Sequence, residues 1–449
     1  MNDTICAIST SVGVSAINII RISGESAIKI VNSLATIDLN KYNSNTINYA
    51  FIKENEEIID EVLISIFKNP KSFTGEDLIE INCHGGIAVT NKILELLIIN
   101  GARLADKGEF TKRAFLNGKL DLIQAESIMD LIAAKTQKSR IQSINAVTKK
   151  VSNMINALRE DILKIISNIE VNIDYPEYED ITVMDNNLVN QKLESILVNM
   201  NEILETSNNS KIISNGLKLG IIGKPNVGKS SILNLLLEEE KAIVTPIAGT
   251  TRDIVEGTII IDGIEINLID TAGIRTTTNQ VEQIGINKSK QIITTSDLII
   301  LVLNNNEQLD EEDIRILKET KDLNRIILIN KSDLKNNLDV SIIEDEFTNI
   351  SVINEDSINL IKKLISNKLK INNIADNDYT YLTSARAIAL YKKALDEIIQ
   401  AYNTSTTLLP TDIVLIYLKQ AWDYLGEITG VSYDEELLDN LFENYCLGK

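Results

Sequence analysis

Histidine is almost missing from this chain: His84 stands alone among 449 residues, with three cysteines, five prolines, one tryptophan and an aromatic share of 4%. A single histidine cannot build a His-rich metal centre, and Cys6, Cys83 and Cys446 are too far apart for a metal or disulfide spacing, so reducing conditions suit the chain. No apolar run approaches the ~20 residues needed to cross a bilayer. The start, Met1-Asn2-Asp3-Thr4, lacks the basic flank of a signal peptide. A soluble cytoplasmic protein, with no membrane partner, is the expectation. Positive charge is also short. With 44 Lys and Arg against 64 Asp and Glu the formal charge is −20, which argues against unaided nonspecific nucleic-acid binding because counterion release needs clustered Lys and Arg. Any RNA chemistry therefore needs a local patch or a partner.

What is present is motif. Gly223-Lys224-Pro225-Asn226-Val227-Gly228-Lys229-Ser230 fits G-x-x-x-x-G-K-[ST]. The apolar run Leu219 to Ile222 before it reads as a buried strand, and Ser231 to Leu237 after it as a helix, the context such a loop requires. Its N–H groups can close on phosphate oxygens, Lys229 supplies a point charge to the terminal phosphates, and the Ser230 hydroxyl can ligate Mg²⁺. Asp270-Thr271-Ala272-Gly273 ends a second apolar run, Ile264 to Ile269; Asp270 can reach the metal through water and Gly273 can offer its N–H to the γ-phosphate. Between them lies Gly249-Thr250-Thr251-Arg252-Asp253, with Thr251 placed to sense Mg²⁺ and γ-phosphate. Asn330-Lys331-Ser332-Asp333 selects the base, since Asp333 can accept two hydrogen bonds from guanine that adenine cannot give, while Asn330 braces the loop. Four elements in this order point to a guanine nucleotide switch.

At 449 residues, 44% of them hydrophobic, the chain is globular and too long for one core. Residues 1–118 mix β-like runs (Ile17 to Ile22, Val62 to Phe67, Leu78 to Asn82) with a helix around Val89 to Asn100, a compact α+β domain. Residues 119–212 read as helical. Ile144, Val147, Val151, Met154, Leu158, Ile162, Ile165 and Ile169 form one stripe, and Asp174-Tyr175-Pro176-Glu177 breaks it. Residues 213–375 form a Ras-like α/β domain with an Asp262-Gly263 hairpin turn, and helical periodicity returns over 376–449, at Ala385 to Tyr402 and Asp412 to Leu425. The expected architecture is multidomain α/β and α+β, with the P-loop domain inserted into a helical one.

Further stretches are more specific: Arg21-Ile22-Ser23-Gly24, Ser72-Phe73-Thr74-Gly75-Glu76-Asp77, His84-Gly85-Gly86, Gly108-Glu109-Phe110, Arg113-Ala114-Phe115-Leu116-Asn117-Gly118-Lys119-Leu120-Asp121, and Cys446-Leu447-Gly448-Lys449. With these the chain resembles, over essentially its whole length, the MnmE (TrmE) family of tRNA-modification GTPases. The resemblance implies a homodimer working with the FAD-dependent protein MnmG to add an aminomethyl or carboxymethylaminomethyl group at C5 of the wobble uridine of certain tRNAs. It implies a bound 5-formyl- or 5,10-methylene-tetrahydrofolate, with contacts at Arg21, Glu80, Lys119 and Lys449. The chemistry agrees, because a pterin pairs with a carboxylate and an anionic tail wants Lys or Arg.

For the nucleotide, the resemblance implies contacts at Asn226, Val227, Gly228, Lys229, Ser230 and Ser231; at Thr245, Pro246, Ile247, Ala248, Gly249, Thr250 and Thr251; at Asp270, Thr271, Ala272 and Gly273; and at Asn330, Lys331, Asp333 and Ser351. Mg²⁺ falls to Ser230 and Thr251, and K⁺ to Asn226, Thr245, Ile247 and Thr250. Ile274 stands where a Ras-type enzyme has its water-positioning glutamine, and the family's replacement falls on Glu282, acting through water. A cation near the place of an arginine finger's charge leaves Arg252 and Arg275 structural. Cys446 is either a nucleophile toward the uridine ring or a packing residue, and His84 either shapes a turn or touches ligand. The family's early Pro-Gly is Val12-Gly13 here, and its base-contacting Ser-Ala is Ser351-Val352. The competing reading is a ribosome-assembly GTPase switch without modification chemistry, which leaves Arg21, Glu80, Lys119 and the terminal Cys-Leu-Gly-Lys unexplained.

Overall fold

The structure, a computed structural model, describes residues 3–11, 13–174, 186–238, 255–270, 292–354, 356–369, 380–407 and 411–433, together with 438, 441, 442, 445 and 448. The chain divides into two compact units, one of Met1–Met129, Ala146–Asn201 and Ser384–Lys449, the other of Asp130–Asn145 and Glu202–Thr383.

The first unit carries a six-stranded sheet: β1 Ile5–Ile8, β2 Ile17–Ser23, β3 Thr46–Glu54, β4 Glu57–Phe67, β5 Leu78–His84 and β6 Arg103–Leu104, in the order β3-β4-β5-β2-β1-β6. Every pairing is antiparallel except β1 with β6. Alternation along the strands decides what faces where. Ile20, Ile22, Ile64, Ile79 and Ile81 point into a core closed by Ile93, Leu96 and Leu97 of the helix Ile87–Ile99. Arg21 and Glu80 are thereby turned to the opposite face, and the register sets them directly across from each other. A smaller cluster of Ile5, Ala7, Ala105 and Phe110, with Phe73 against it, covers part of that second face.

The helical stretch that passes from the second unit (to Asn145) back into the first (from Ala146) follows the expected periodicity with one difference. The stripe from Ile144 to Ile169 reads as continuous, but the chain turns at Lys149 (φ 68°) and makes two helices, Gln137–Val147 and Lys150–Asp174. Within the second, Val151, Ile155, Leu158, Ile162, Ile165 and Ile169 are buried. It packs on Thr411–Thr429, where the Arg159 guanidinium lies 4.2 Å from the centre of the Trp422 ring, and Ala385–Ser405 packs beside it with Tyr391 O–H donating to the Met200 carbonyl at 3.3 Å.

The second unit is built on β7 Leu217–Ile222, β8 Val255–Ile261, β9 Ile264–Asp270, β10 Leu298–Asn304, β11 Arg325–Asn330 and β12 Phe347–Asn349, ordered β12-β11-β10-β7-β9-β8 and parallel except for β8 with β9. All seven residues of β10 are buried, as a parallel sheet covered on both faces requires. One face is filled by Ile232, Leu236, Ile358 and Ile361 from the helices Lys229–Glu238 and Asp356–Lys368, the other by Ile316 and Leu317 of Glu311–Glu319. The expected hairpin between β8 and β9 is present, with both turn residues at positive φ (Asp262 49°, Gly263 77°), the geometry that matches strand twist. Among the described residues no helix is long and apolar enough to cross a membrane.

Candidate functional site

In the second unit the chain leaves β7, the strand at which the order of connections reverses, through residues 223–228 and enters the helix Lys229–Glu238. That is the place, outside the carboxyl ends of parallel strands, where open α/β sheets bind ligands. Asn226 (φ 64°) and Gly228 (φ 104°) adopt left-handed backbone. At Gly228 nothing else fits, since a Cβ would come within 2.1 Å of Asn330 Nδ2. The Lys229 ammonium donates to the carbonyls of Gly223 (2.8 Å) and Lys224 (2.6 Å), which holds it over the loop, while Ser230 and Ser231 stand exposed on the first turn of the helix.

The loop that begins at Asn330 is tied to this one. Asn330, buried at the end of β11, donates through Nδ2 to the Val227 carbonyl at 2.9 Å and accepts at Oδ1 from Val352 N–H at 3.3 Å. Lys331 takes positive φ (64°), and Asp333 accepts from Ser351 Oγ at 2.6 Å. The carboxylate is therefore oriented by the residue that the sequence offers as the second base contact. Asp270 closes β9 in register with Ile221 of β7. The remaining expected positions, Thr245 to Thr251, Arg252, Thr271, Ala272, Gly273, Arg275 and Glu282, lie outside the described residues, as does Val12.

In the first unit Arg21 and Glu80 meet: Nε and Nη2 of Arg21 reach one carboxylate oxygen at 3.0 and 2.7 Å. The guanidinium lies 5.6 Å from the ring centres of both Phe73 and Phe110. Its Nη1 donates at 3.3 Å to the carbonyl of Gly448, which also accepts from Ser9 Oγ at 3.2 Å. Gly448 sits at φ 85° with the Ile8 carbonyl 2.5 Å from where a Cβ would be, so only glycine seats there. The residues on either side of it, Leu447 and Lys449, and also Cys446, lie outside the described residues. Lys119 is exposed and donates to the Pro70 carbonyl at 2.8 Å; its side chain runs along Gly75, two residues from Phe73. Three of the four expected folate residues thus border the Phe73 loop or the Arg21–Glu80 pair.

The loop itself is held by a group to which the sequence gives no role. Arg113, 1% exposed, contacts Asp3 (2.7 Å), Glu76 (3.1 Å) and Glu109 (3.0 Å), while Ser23 Oγ donates to Glu76. Breaking the buried Arg113–Glu109 pair by removing one partner costs about 3–5 kcal/mol. Burial acts first to raise the Glu109 carboxyl, but Arg103 and Arg113 overcome it and hold its pKa below the usual range. His84 is exposed at the end of β5, its Nδ1 2.7 Å from Asp60 Oδ1, and its pKa is raised chiefly by that hydrogen bond. Cys6 is buried, which pushes its thiol up to about 11, and burial likewise raises Cys83.

A glycine-rich loop ending in Gly-Lys-Ser between strand and helix, tied through the buried Asn330 to the Asn-Lys-Ser-Asp loop, defines a P-loop GTPase. The family descriptions "MnmE helical domain" and "GTP-binding protein TrmE N-terminus" match residues 122–446 and 4–119. The tRNA modification GTPase MnmE of Enterococcus faecalis is 46% identical over 457 residues, covering 100% of this chain and 98% of that protein. That of Streptococcus thermophilus is 48% identical over 456 residues with the same coverages. Among solved structures, Era from Aquifex aeolicus bound to GDP and aluminium fluoride is 26% identical over 41% of this chain and 67% of that one, at a TM-score of 0.25, too low to argue from. The chain belongs to the MnmE (TrmE) family of tRNA modification GTPases.

Proposed function

We propose that this chain is the GTP-hydrolysing subunit of a wobble-uridine modification enzyme, acting in the cytoplasm as a homodimer with the flavoprotein MnmG to build an aminomethyl or carboxymethylaminomethyl group on C5 of tRNA uridine. The observation that carries the reading is the Arg21–Glu80 pair with its Phe73 and Phe110 neighbours and the seated Gly448, a constellation a simple GTPase switch does not need. Arg21, Lys119 and Lys449 would meet the anionic part of a reduced folate and Glu80 its pterin. When bound, the folate supplies the one-carbon unit.

For hydrolysis, Lys229 would face the terminal phosphates, Ser230 and Thr251 would hold Mg²⁺, and Asn226 with Thr245, Ile247 and Thr250 would hold K⁺, which supplies positive charge near the transferred phosphoryl group. Glu282 would orient the attacking water, and Asp333 with Ser351 would read guanine. Cys446, beside Tyr445 in sequence, is the candidate nucleophile. The deciding experiment is mass spectrometry of tRNA nucleosides from cells lacking the chain and from cells with it restored. Loss and recovery of a 5-aminomethyl-type uridine supports the reading; an unchanged nucleoside profile refutes it.

A further inference from the structure

Lys224 follows the first glycine of the phosphate loop, yet its ammonium points away from solvent. It lies 2.8 Å from Asp310 Oδ2 and 2.7 Å from Asp313 Oδ2, with side-chain exposures of 11% for Lys224 and 5% for Asp313. Those carboxylates are fixed before the lysine reaches them. Asp310 is the N-cap of the helix Glu311–Glu319, accepting from the N–H groups of Glu312 and Asp313 at 3.0 and 3.1 Å, and Asp313 reaches back to the Asp310 N–H at 3.3 Å. This reciprocal cap makes a rigid carboxylate pair. Burial acts to lower the Lys224 pKa, but its hydrogen bonds to Asp310 and Asp313 outweigh burial and hold it up at about 12. At its other end Lys224 offers the backbone carbonyl that accepts from Lys229 Nζ at 2.6 Å, next to the Gly223 carbonyl at 2.8 Å.

Two carboxylates beside a loop built for polyphosphate are unfavourable by charge alone. Their presence is explained if what they hold matters more than the field they add. We propose that Lys224 is a positioning residue for GTP binding and hydrolysis: anchored on Asp310 and Asp313, it fixes the two carbonyls that aim the Lys229 ammonium. The inference rests on GTP occupying this loop.

The test sets charge against geometry. In the full-length protein, D310N/D313N removes two negative charges but keeps side-chain shape and a residue type that caps helices well. Electrostatics alone then demands tighter mant-GDP binding, whereas loss of the anchor demands weaker. We expect Kd for mant-GDP, measured well below each variant's Tm, to rise about tenfold, equivalent to about 1.4 kcal/mol. K224M should do the same and K224R should recover most of the loss, a rescue that a purely structural contribution to Tm would not produce. Unchanged or tighter binding by D310N/D313N overturns the proposal, as does weakening by K224M without weakening by the double variant. A parent chain that fails to bind mant-GDP overturns the GTP site itself, and the anchor with it.

Discussion

Truncating Asn330 to alanine should separate nucleotide affinity from base choice. The side chain is 3% exposed and is the direct bond between the two loops, donating to Val227 O at 2.9 Å and accepting from Val352 N–H at 3.3 Å. Val227 is itself 1% exposed, so its carbonyl would lose a partner where water has little access. A buried acceptor left in that state costs about 1–3 kcal/mol. The longer bond to Val352 contributes at the low end, because that residue is only half-buried and its N–H can turn to water. About 2 kcal/mol is the resulting cost, which corresponds to about 30-fold in Kd if it falls wholly on the nucleotide-bound loop. Part of it is felt by the empty loop too, so a loss of about 5- to 30-fold is expected. The assay is competition of GDP and ADP against mant-GDP. Asp333, still held by Ser351 at 2.6 Å, should keep the preference for guanine. Binding within about twofold of the parent, or a loss of selectivity as large as the loss of affinity, would refute the argument.

Other outcomes are open to direct measurement. Asp333→Asn should shift preference from guanosine toward xanthosine nucleotide, because the amide can donate where the carboxylate could only accept; unchanged selectivity removes Asp333 from the base site. Exchanging KCl for NaCl should slow GTP hydrolysis with nucleotide affinity little altered, and equal rates would dismiss the cation role given to Asn226. His84 is the one histidine in the chain, so its titration can be read directly by proton NMR. Bonded to Asp60, it should titrate above the ordinary imidazole range, and D60N should lower it. Because the folded value is raised, whatever the pair adds to stability is present below pH 6.5 and is lost as pH rises through the folded pKa. Cys6, buried with a thiol pushed up to about 11, should resist iodoacetamide in the native protein, as should Cys83, and rapid labelling of either would contradict their burial.

The nucleotide unit was the more legible in sequence because its signals are local. The apolar runs ending at Ile222, Asp270 and Asn330 are strands that the loops follow directly, and the Asp262-Gly263 turn carries its own backbone requirement. Two kinds of information were not local. Arg21 and Glu80 lie opposite each other only because β2 pairs with β5 in one register, which no spacing along the chain records. Lys224 finds Asp310 and Asp313 across 86 and 89 positions; the Asp310-x-x-Asp313 pair is readable as a helix start, but not as the seat of a lysine. The turn at Lys149 was hidden for a different reason, since apolar residues continue at helical spacing on both sides and the residue breaking the helix is an ordinary lysine at positive φ.

The division of the chain has a consequence for its birth on the ribosome. The second unit is nearly contiguous, whereas the first waits for residues 384–449. At about 5–20 residues per second, synthesis of the stretch from Glu202 to Thr383 occupies roughly 10–40 s. Throughout that interval Phe115, Leu122 and Ala125 lack the Leu438, Phe442 and Tyr445 that bury them. A nascent chain paused after Thr383 but before Leu438 still presents that oily surface although its nucleotide unit is complete. Messages cut short before codon 438 should therefore yield products that chaperones retain and that aggregate once released, even when their phosphate loop is intact.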